Sequence, residues 1–279
     1  MPTVAPISVV RFQANALTER PDLLAVEEPL EIRLGYGPVS EREQRTLAVT
    51  MRTPGHDVEL ALGYLLAEGI IHHRTDVLSC RHCVQDAQKE GNVIRVELAP
   101  TVTLDWSLLG RFGYASASCG LCGKTSIDAV RQQGAVPLRA GLTVSAELIH
   151  ELSDRVRQFQ PAFAHTGGIH AAALFTKEGG IRCVREDIGR HNALDKVVGA
   201  AFWEEGLPLS QYGLFLSGRI GFELVQKAWM AGISLVVAVG APSSLAVDLA
   251  REANTTLIGF VRNEQFNVYT NPQRILMND

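Results

Sequence analysis

The residues with the most evident chemistry in this 279-residue chain are Cys119-Gly-Leu-Cys122, set among small neighbours from Ala115 to Gly123 and followed by Lys124. Small neighbours leave both sulfurs open to another macromolecule. Lys124, with the N-terminus of a short helix expected from Thr125, lowers a thiol pKa and raises the thiolate fraction. Such a thiolate can attack a sulfane sulfur, hold it as a persulfide and pass it on by the displacement chemistry of disulfide exchange. The spacing alone leaves three readings open: sulfur or redox chemistry, half of a structural metal site, or an ordinary loop.

Cys80-Arg-His-Cys83 is a second CxxC, and two such pairs suggest a zinc ribbon. Residues 84–118 separate the pairs, about twice the usual gap for that motif. The first pair also lies in a strand-like stretch, where alternation sends Cys80 and Cys83 to opposite faces. They are therefore read as one buried and one half-exposed free thiol, and Cys183, inside an apolar strand, as a small core residue.

Four polar clusters stand at element boundaries. His165 and His170 flank Gly167-Gly168 before a hairpin and could be ligands, acid–base groups or structural histidines. Glu186 to Asn192, containing Arg190 and His191, precedes a helix, so it reads either as a phosphate site or as a solvated helix cap. Ser217-Gly218-Arg219 follows a strand and opens a helix, in the crevice where open α/β sheets bind ligands. Phe260 to Gln265 closes another strand, with an aromatic ring and Arg262. There is no G-x-x-x-x-G-K-[ST], no G-x-G-x-x-G after a strand and no G-x-S-x-G elbow, so nucleotide hydrolysis, Rossmann dehydrogenation and α/β-hydrolase chemistry lack their loops.

The elements that must position these groups fall into two parts. Residues 28–34 and 45–51 alternate as a hairpin around Gly35 to Pro38. A helix with Val58, Leu62, Leu65 and Leu66 on one face follows, then an extended pair at 77–83 and 92–98. Residues 99–142 are punctuated by Gly and Pro and read as an exposed linker carrying the CxxC. From Ser145, an expected N-cap, strands and helices alternate: helix 145–159, hairpin 171–175 and 181–185, helix 192–204, strand 212–216, helix 222–230, strand 235–239, helix 243–253, strand 256–261. That pattern predicts a largely parallel, covered sheet. The reading is α/β overall: an α+β domain over 1–138, ending in a flexible CxxC-bearing segment, and a second α/β domain over 139–279.

Composition is ordinary for a globular protein: 46% apolar, 20% charged, 26 basic against 30 acidic residues and a net charge of −4. That argues against nucleic acid as a partner while permitting a local basic pocket. The N-terminus has no secretory pattern, and the longest apolar run, near Ile233 to Ala241, is too short to span a membrane. A soluble, cytoplasmic protein with reduced thiols is expected.

Taken together, Ser118 to Gly123, Gly168 to Ala173, Glu186 to Lys196, Gly259 to Arg262 and Asn267 to Thr270 resemble the FdhD family, and the resemblance runs from about Ala25 to Leu276. Each block is weak alone; their ordered combination is specific. The resemblance implies a sulfur carrier, a sulfurtransferase serving formate dehydrogenase. It implies persulfide sulfur taken from a cysteine desulfurase and delivered to the bis-molybdopterin guanine dinucleotide molybdenum cofactor, whose ends guanine nucleotides such as GDP mimic. It places the persulfide on Cys119, with Cys122 as its supporting partner. It places cofactor binding on Phe260, Val261, Arg262, Asn263, Glu264 and Gln265, and it implies a homodimer and no resident metal. One departure is Gln265, where a second basic residue is expected, so phosphate contact rests more on Arg262. Cys80 and Cys83 fall outside the family pattern.

The resemblance also implies a cytidine-deaminase-like, three-layer α/β/α second domain. Deaminase chemistry needs H-x-E and P-C-x-x-C. Here His170 is followed by Ala171-Ala172, and the later junction, Leu216 to Arg219, has no cysteine, so deamination is excluded. Two alternatives of other classes remain: a zinc-stabilised binding protein using Cys80, Cys83, Cys119 and Cys122, and a dithiol oxidoreductase cycling Cys119 with Cys122.

Overall fold

The computed structural model describes residues 2–83, 91–104, 106, 137–138, 141–262 and 265–277. Its first elements are strands β1 (Val4–Gln13) and β2 (Ala16–Ala25), an antiparallel ribbon closed by Ala14 and Asn15, both with positive φ. The ribbon touches the rest of the chain near its base and leaves Val10, Phe12 and Leu17 exposed.

Strands β3 (Glu28–Tyr36) and β4 (Glu43–Arg52), helix α1 (Asp57–Ala67), and strands β5 (Val77–His82) and β6 (Val93–Leu98) make the first body. Its four-stranded sheet runs β4-β3-β6-β5, with β3 and β6 parallel and the other pairs antiparallel. Period-two alternation in β3 sends Leu30, Ile32 and Leu34 into the core, as expected for a half-buried strand.

The second body opens with β7 (Val144–Ser145) and α2 (Ala146–Arg157). The Ser145 side chain accepts the Leu148 N–H, so the sequence-predicted N-cap is in place. After α3 (Pro161–Thr166) come β8 (His170–Phe175), β9 (Ile181–Asp187), α4 (Arg190–Glu205), β10 (Gly213–Leu216), α5 (Phe222–Met230), β11 (Leu235–Ala238), α6 (Ser244–Glu252), β12 (Thr256–Arg262), β13 (Gln265–Thr270) and β14 (Ile275–Leu276). The six-stranded sheet is ordered β13-β12-β11-β10-β8-β9. Only β10, β11 and β12 are parallel; β8, β9 and β13 are antiparallel. The sheet is therefore mixed rather than largely parallel, because both edges are made by hairpins and only the centre by helical crossovers.

Alternation along these strands divides the layers. Phe215, Leu235, Val237 and Ile258 face α2, whereas Leu214, Leu216, Val236 and Leu257 face α4, α5 and α6. Helices thus cover both faces, the three-layer α/β/α arrangement expected. The core on the α4 side continues without a break into the first body. There α1 and α4 cross with backbones nearly touching: a Cβ on Gly63 would overlap the Asp195 carbonyl, and one on Gly199 would overlap the Glu59 carbonyl.

Buried charge also ties the two bodies together. Lys196 and Asp187, 1% and 0% exposed, pair at 2.7 Å, and both hydrogen-bond the backbone of Thr53. Arg185 grips Glu59 of α1. No helix among the described residues is long and apolar enough to cross a membrane.

Candidate functional site: a polar cavity at the strand ends

Main-chain hydrogen bonds gather four of the sequence-flagged segments along one end of the six-stranded sheet. His170 opens β8 opposite Asp187, the last residue of β9. Ser217, just beyond β10, donates its N–H to the Ala171 carbonyl, and its hydroxyl accepts the Ala171 N–H at 2.8 Å. Gly240, beyond β11, donates to Gly218, and Phe260 of β12 donates to Gly240. The C-terminal ends of the central parallel strands therefore form one ledge, the usual ligand position in open α/β sheets.

Phe260 departs from the strand conformation. Its φ is +57°, rare for a bulky residue, and the β12–β13 register shifts between Gly259 and Arg262. This is a β-bulge, a device that re-aims side chains next to binding sites. Strain held at such a position points to function. Past the bulge, the Arg262 guanidinium stands 5.7 Å from the Phe260 ring centroid. Gln265 begins β13 paired with Arg262, while Asn263 and Glu264 lie outside the described residues.

Between this ledge and α2 lies a cavity of about 890 Å³. Its apolar surface comes from Phe163, Ile169, Phe215, Val239 and Val261. Its polar surface comes from His170 and Ser217 on the floor, Arg262 at the bulge, and His150, Ser153, Asp154, Arg157 and Gln160 along α2 and just beyond it. Among the described residues neither Arg157 nor Arg262 is paired with a carboxylate; Arg157 lies 5.1 Å over the Phe163 ring. Burial, helped by the charges of Arg190 and His191, lowers the His170 pKa, so His170 is neutral at pH 7 and the positive charge of the cavity is that of its arginines.

The other flagged residues are placed differently. His165 is exposed on α3 and outside the cavity lining. At the start of α4 the Asp187 carboxylate already accepts the Gly189 N–H and the Asn192 amide, and His191 pairs with Glu223 at 2.9 Å. A buried cap with engaged charges therefore describes that turn better than a phosphate site, although the Arg190 Nε is buried without a partner among the described residues. Arg219 is exposed beside the ledge.

Cys80 lies on β5 packed against the core, and burial pushes its thiol up to about 12; burial raises the Cys183 thiol as well. Both are poor thiolates, as their structural reading requires. Cys119 and Cys122, and with them the four-cysteine zinc alternative, lie outside the described residues. Among the described residues no three His, Cys, Asp or Glu side chains are grouped to hold a metal ion.

The α2 wall escaped the sequence reading. Its signal was present in the polar spacing His150, Ser153, Asp154, Arg157, one stripe of a helix whose opposite face is apolar. An isolated helix gives no means of telling a solvated stripe from one that walls a cavity.

What fold and site define is an α/β protein with a cation-bearing polar cavity at the strand ends. Comparison with known proteins narrows this. Residues 25–276 match the model of the FdhD/NarQ family. Proteins named sulfur carrier protein FdhD are similar along nearly the whole chain: 47% identity over 274 residues in Streptomyces coelicolor, covering 96% of this chain and 94% of that protein, and 47% over 274 residues in Mycobacterium tuberculosis, covering 96% of each. A crystal structure from Desulfotalea psychrophila, described as a formate dehydrogenase accessory protein, superposes with a TM-score of 0.76 over 99% of this chain and 100% of that one, at 22% identity. The chain belongs to the FdhD/NarQ family.

Proposed function

We propose that this protein is a persulfide relay for a molybdoenzyme. A cysteine desulfurase presents its persulfide, and the Cys119 thiolate attacks the outer sulfur. The donor S–S bond breaks, the donor cysteine leaves as its thiolate, and Cys119 holds the sulfane sulfur. Cys122 supports Cys119. The acceptor is the molybdenum centre of bis-molybdopterin guanine dinucleotide, a substrate here, bound for formate dehydrogenase. The protein works in the cytoplasm as a sulfurtransferase.

The observation that carries this reading is the cavity, whose lining joins Val261 and Arg262, from the segment implied in cofactor binding, to a second arginine, Arg157, neither arginine being paired with a carboxylate among the described residues. Arginine is the side chain best matched to phosphate, and an aromatic beside it can stack on a base. At about 890 Å³ the cavity has the size of a small-ligand site and suits one nucleotide end. A cofactor with two such ends calls for two cavities, which a homodimer supplies. The family and its relatives named as sulfur carriers support the transfer role.

The test is intact-protein mass spectrometry after incubation with a cysteine desulfurase and cysteine. Wild type gains one reducible sulfur, about 32 Da per persulfide, and Cys119→Ser gains none. Equal gain by Cys119→Ser refutes the assignment. If Cys122→Ser loses transfer as completely as Cys119→Ser, dithiol cycling replaces the relay.

A further inference from the structure

Strands β1 and β2 pair residue for residue along their whole length, from Val4 with Ala25 to Gln13 with Ala16. A two-stranded ribbon on its own is at best marginally stable in water, and the main packing of this one on the rest of the chain is against α3. Directly opposed residues of an antiparallel pair share a face. Pro6, Val10, Phe12, Leu17, Pro21 and Leu23 therefore lie on one side of the ribbon. The charge on that side, Glu19, accepts the Ser8 hydroxyl at 2.7 Å. The other side carries Arg11, Arg20 and Asp22.

The apolar side is half-buried at the base, at Val4, Leu23 and Ala25, and bare at the free end. There Val10, Phe12 and Leu17 are neighbours, 66%, 67% and 70% exposed. A contiguous apolar patch of this kind on a projecting element marks an interaction site.

Area selects the occupant. Ten residues at about 3.4 Å each, in two strands about 4.8 Å apart, give the apolar side a footprint of roughly 300 Å². One arm laid on an unrelated protein removes about 600 Å² of surface in all, the size of a chance lattice contact. Two arms exchanged reciprocally remove about 1,200 Å², the lower bound of specific, stable interfaces. Reciprocal exchange requires the same arm on both partners, which is a second copy of this chain related by a two-fold axis.

We propose that the β1–β2 ribbon is an exchange arm, each copy laying the Val10, Phe12 and Leu17 side of its ribbon along the other copy. Because α3 both seats the ribbon and supplies Phe163 to the cavity, the arm leaves each copy beside its cavity. The arm is independent of the sulfur-transfer reading: pairing of chains and sulfur loading of Cys119 are separate measurements.

Sedimentation velocity of the full-length protein across micromolar concentrations tests it. Wild type sediments as two chains. Phe12→Glu combined with Leu17→Glu puts carboxylates into the exchanged contact. It weakens pairing on the order of 10⁴-fold, about tenfold for each of four apolar side chains lost per pair, so this variant sediments as one chain. Both positions are exposed within a single chain, so its circular dichroism matches wild type, while its melting temperature loses the concentration dependence of a paired protein. Gln13→Glu combined with Thr18→Glu adds two carboxylates to the opposite side and keeps two chains. Three results overturn the proposal. Wild type sediments as one chain throughout, which leaves the ribbon to a partner of another kind; the Phe12→Glu, Leu17→Glu variant stays paired; or the Gln13→Glu, Thr18→Glu variant separates equally.

Discussion

Replacing Gly199 by alanine sets two physical effects of opposite sign against each other. Within a helix, Gly→Ala stabilises by about 1 kcal/mol through backbone entropy. At this position the added methyl would overlap the Glu59 carbonyl oxygen and lie 2.8 Å from the Gly63 nitrogen. Ordinary contacts between non-bonded heavy atoms fall at about 3.5–4.0 Å. The α1–α4 pair would have to separate by roughly 0.7 Å to clear the nitrogen and by more than twice that to clear the carbonyl oxygen, and the loosened contact includes Leu62, Leu66, Leu194 and Val198. Overpacking of this kind costs about 1–3 kcal/mol, and a clash with backbone at a helix crossing belongs at the upper end. The expected net effect is destabilisation by about 2 kcal/mol, a fall in thermal midpoint of about 4–8 °C for a chain of this size. Thermal melting followed by circular dichroism, repeated by urea titration, reads both sign and size. An unchanged or raised midpoint would refute the backbone contact of α1 and α4, and with it the shared core.

Three further expectations follow from buried charge and buried sulfur. Burial disfavours ionised Glu59, but hydrogen bonds from Arg185 and His56 outweigh it and hold the carboxyl at about 2 against an ordinary 4.5. Because the folded pKa is depressed, this stabilisation, at most about 3 kcal/mol, is complete above pH 4.5 and is lost as pH falls through about 2. Glu59→Gln should be less stable than wild type in urea at pH 7, with the two converging near pH 2. Lys196→Met leaves the Asp187 carboxylate buried and unpaired, which should cost about 3–5 kcal/mol; adding Asp187→Asn should restore part of it, and a double variant worse than the single one contradicts the pairing. With its thiol near 12, Cys80 carries roughly one thiolate in 10⁴ at pH 8. Iodoacetamide should therefore leave Cys80 unlabelled in native protein and label it in urea, and equal labelling in both would remove the case for its burial.

Elements whose sequences solve a burial problem were legible. The stripe Leu148, Ile149, Leu152, Val156 and the Ser145 cap located α2, and α5 fell on residues 222–230 as its periodicity indicated. Where burial does not shape the pattern, the reading failed. The β1–β2 ribbon is exposed on both faces, so its residues show no inward period, and its turn at Ala14-Asn15 lacks the usual glycine. Helix α3 is too short for a periodic signal, and β13 lies beyond 256–261, the last strand the sequence pattern marks, because β12 passes to it through a bulge. The same division governs the site. His170, Ser217, Gly218 and Phe260 were each visible as strand-to-turn junctions. Their assembly on one ledge depends on strand order, which no local pattern encodes.

Because a single apolar core runs from β3 and α1 into α4, α5 and α6, neither sheet owns enough of it to stand alone. The two bodies are each other's interior. A chain cut after residue 138 would yield two pieces, each baring a face that in the intact molecule never meets water. Such pieces should be insoluble when made apart and recoverable when made together, so the join between them behaves as an obligate interface within one polypeptide. Neither body could be shuffled into another protein without its mate.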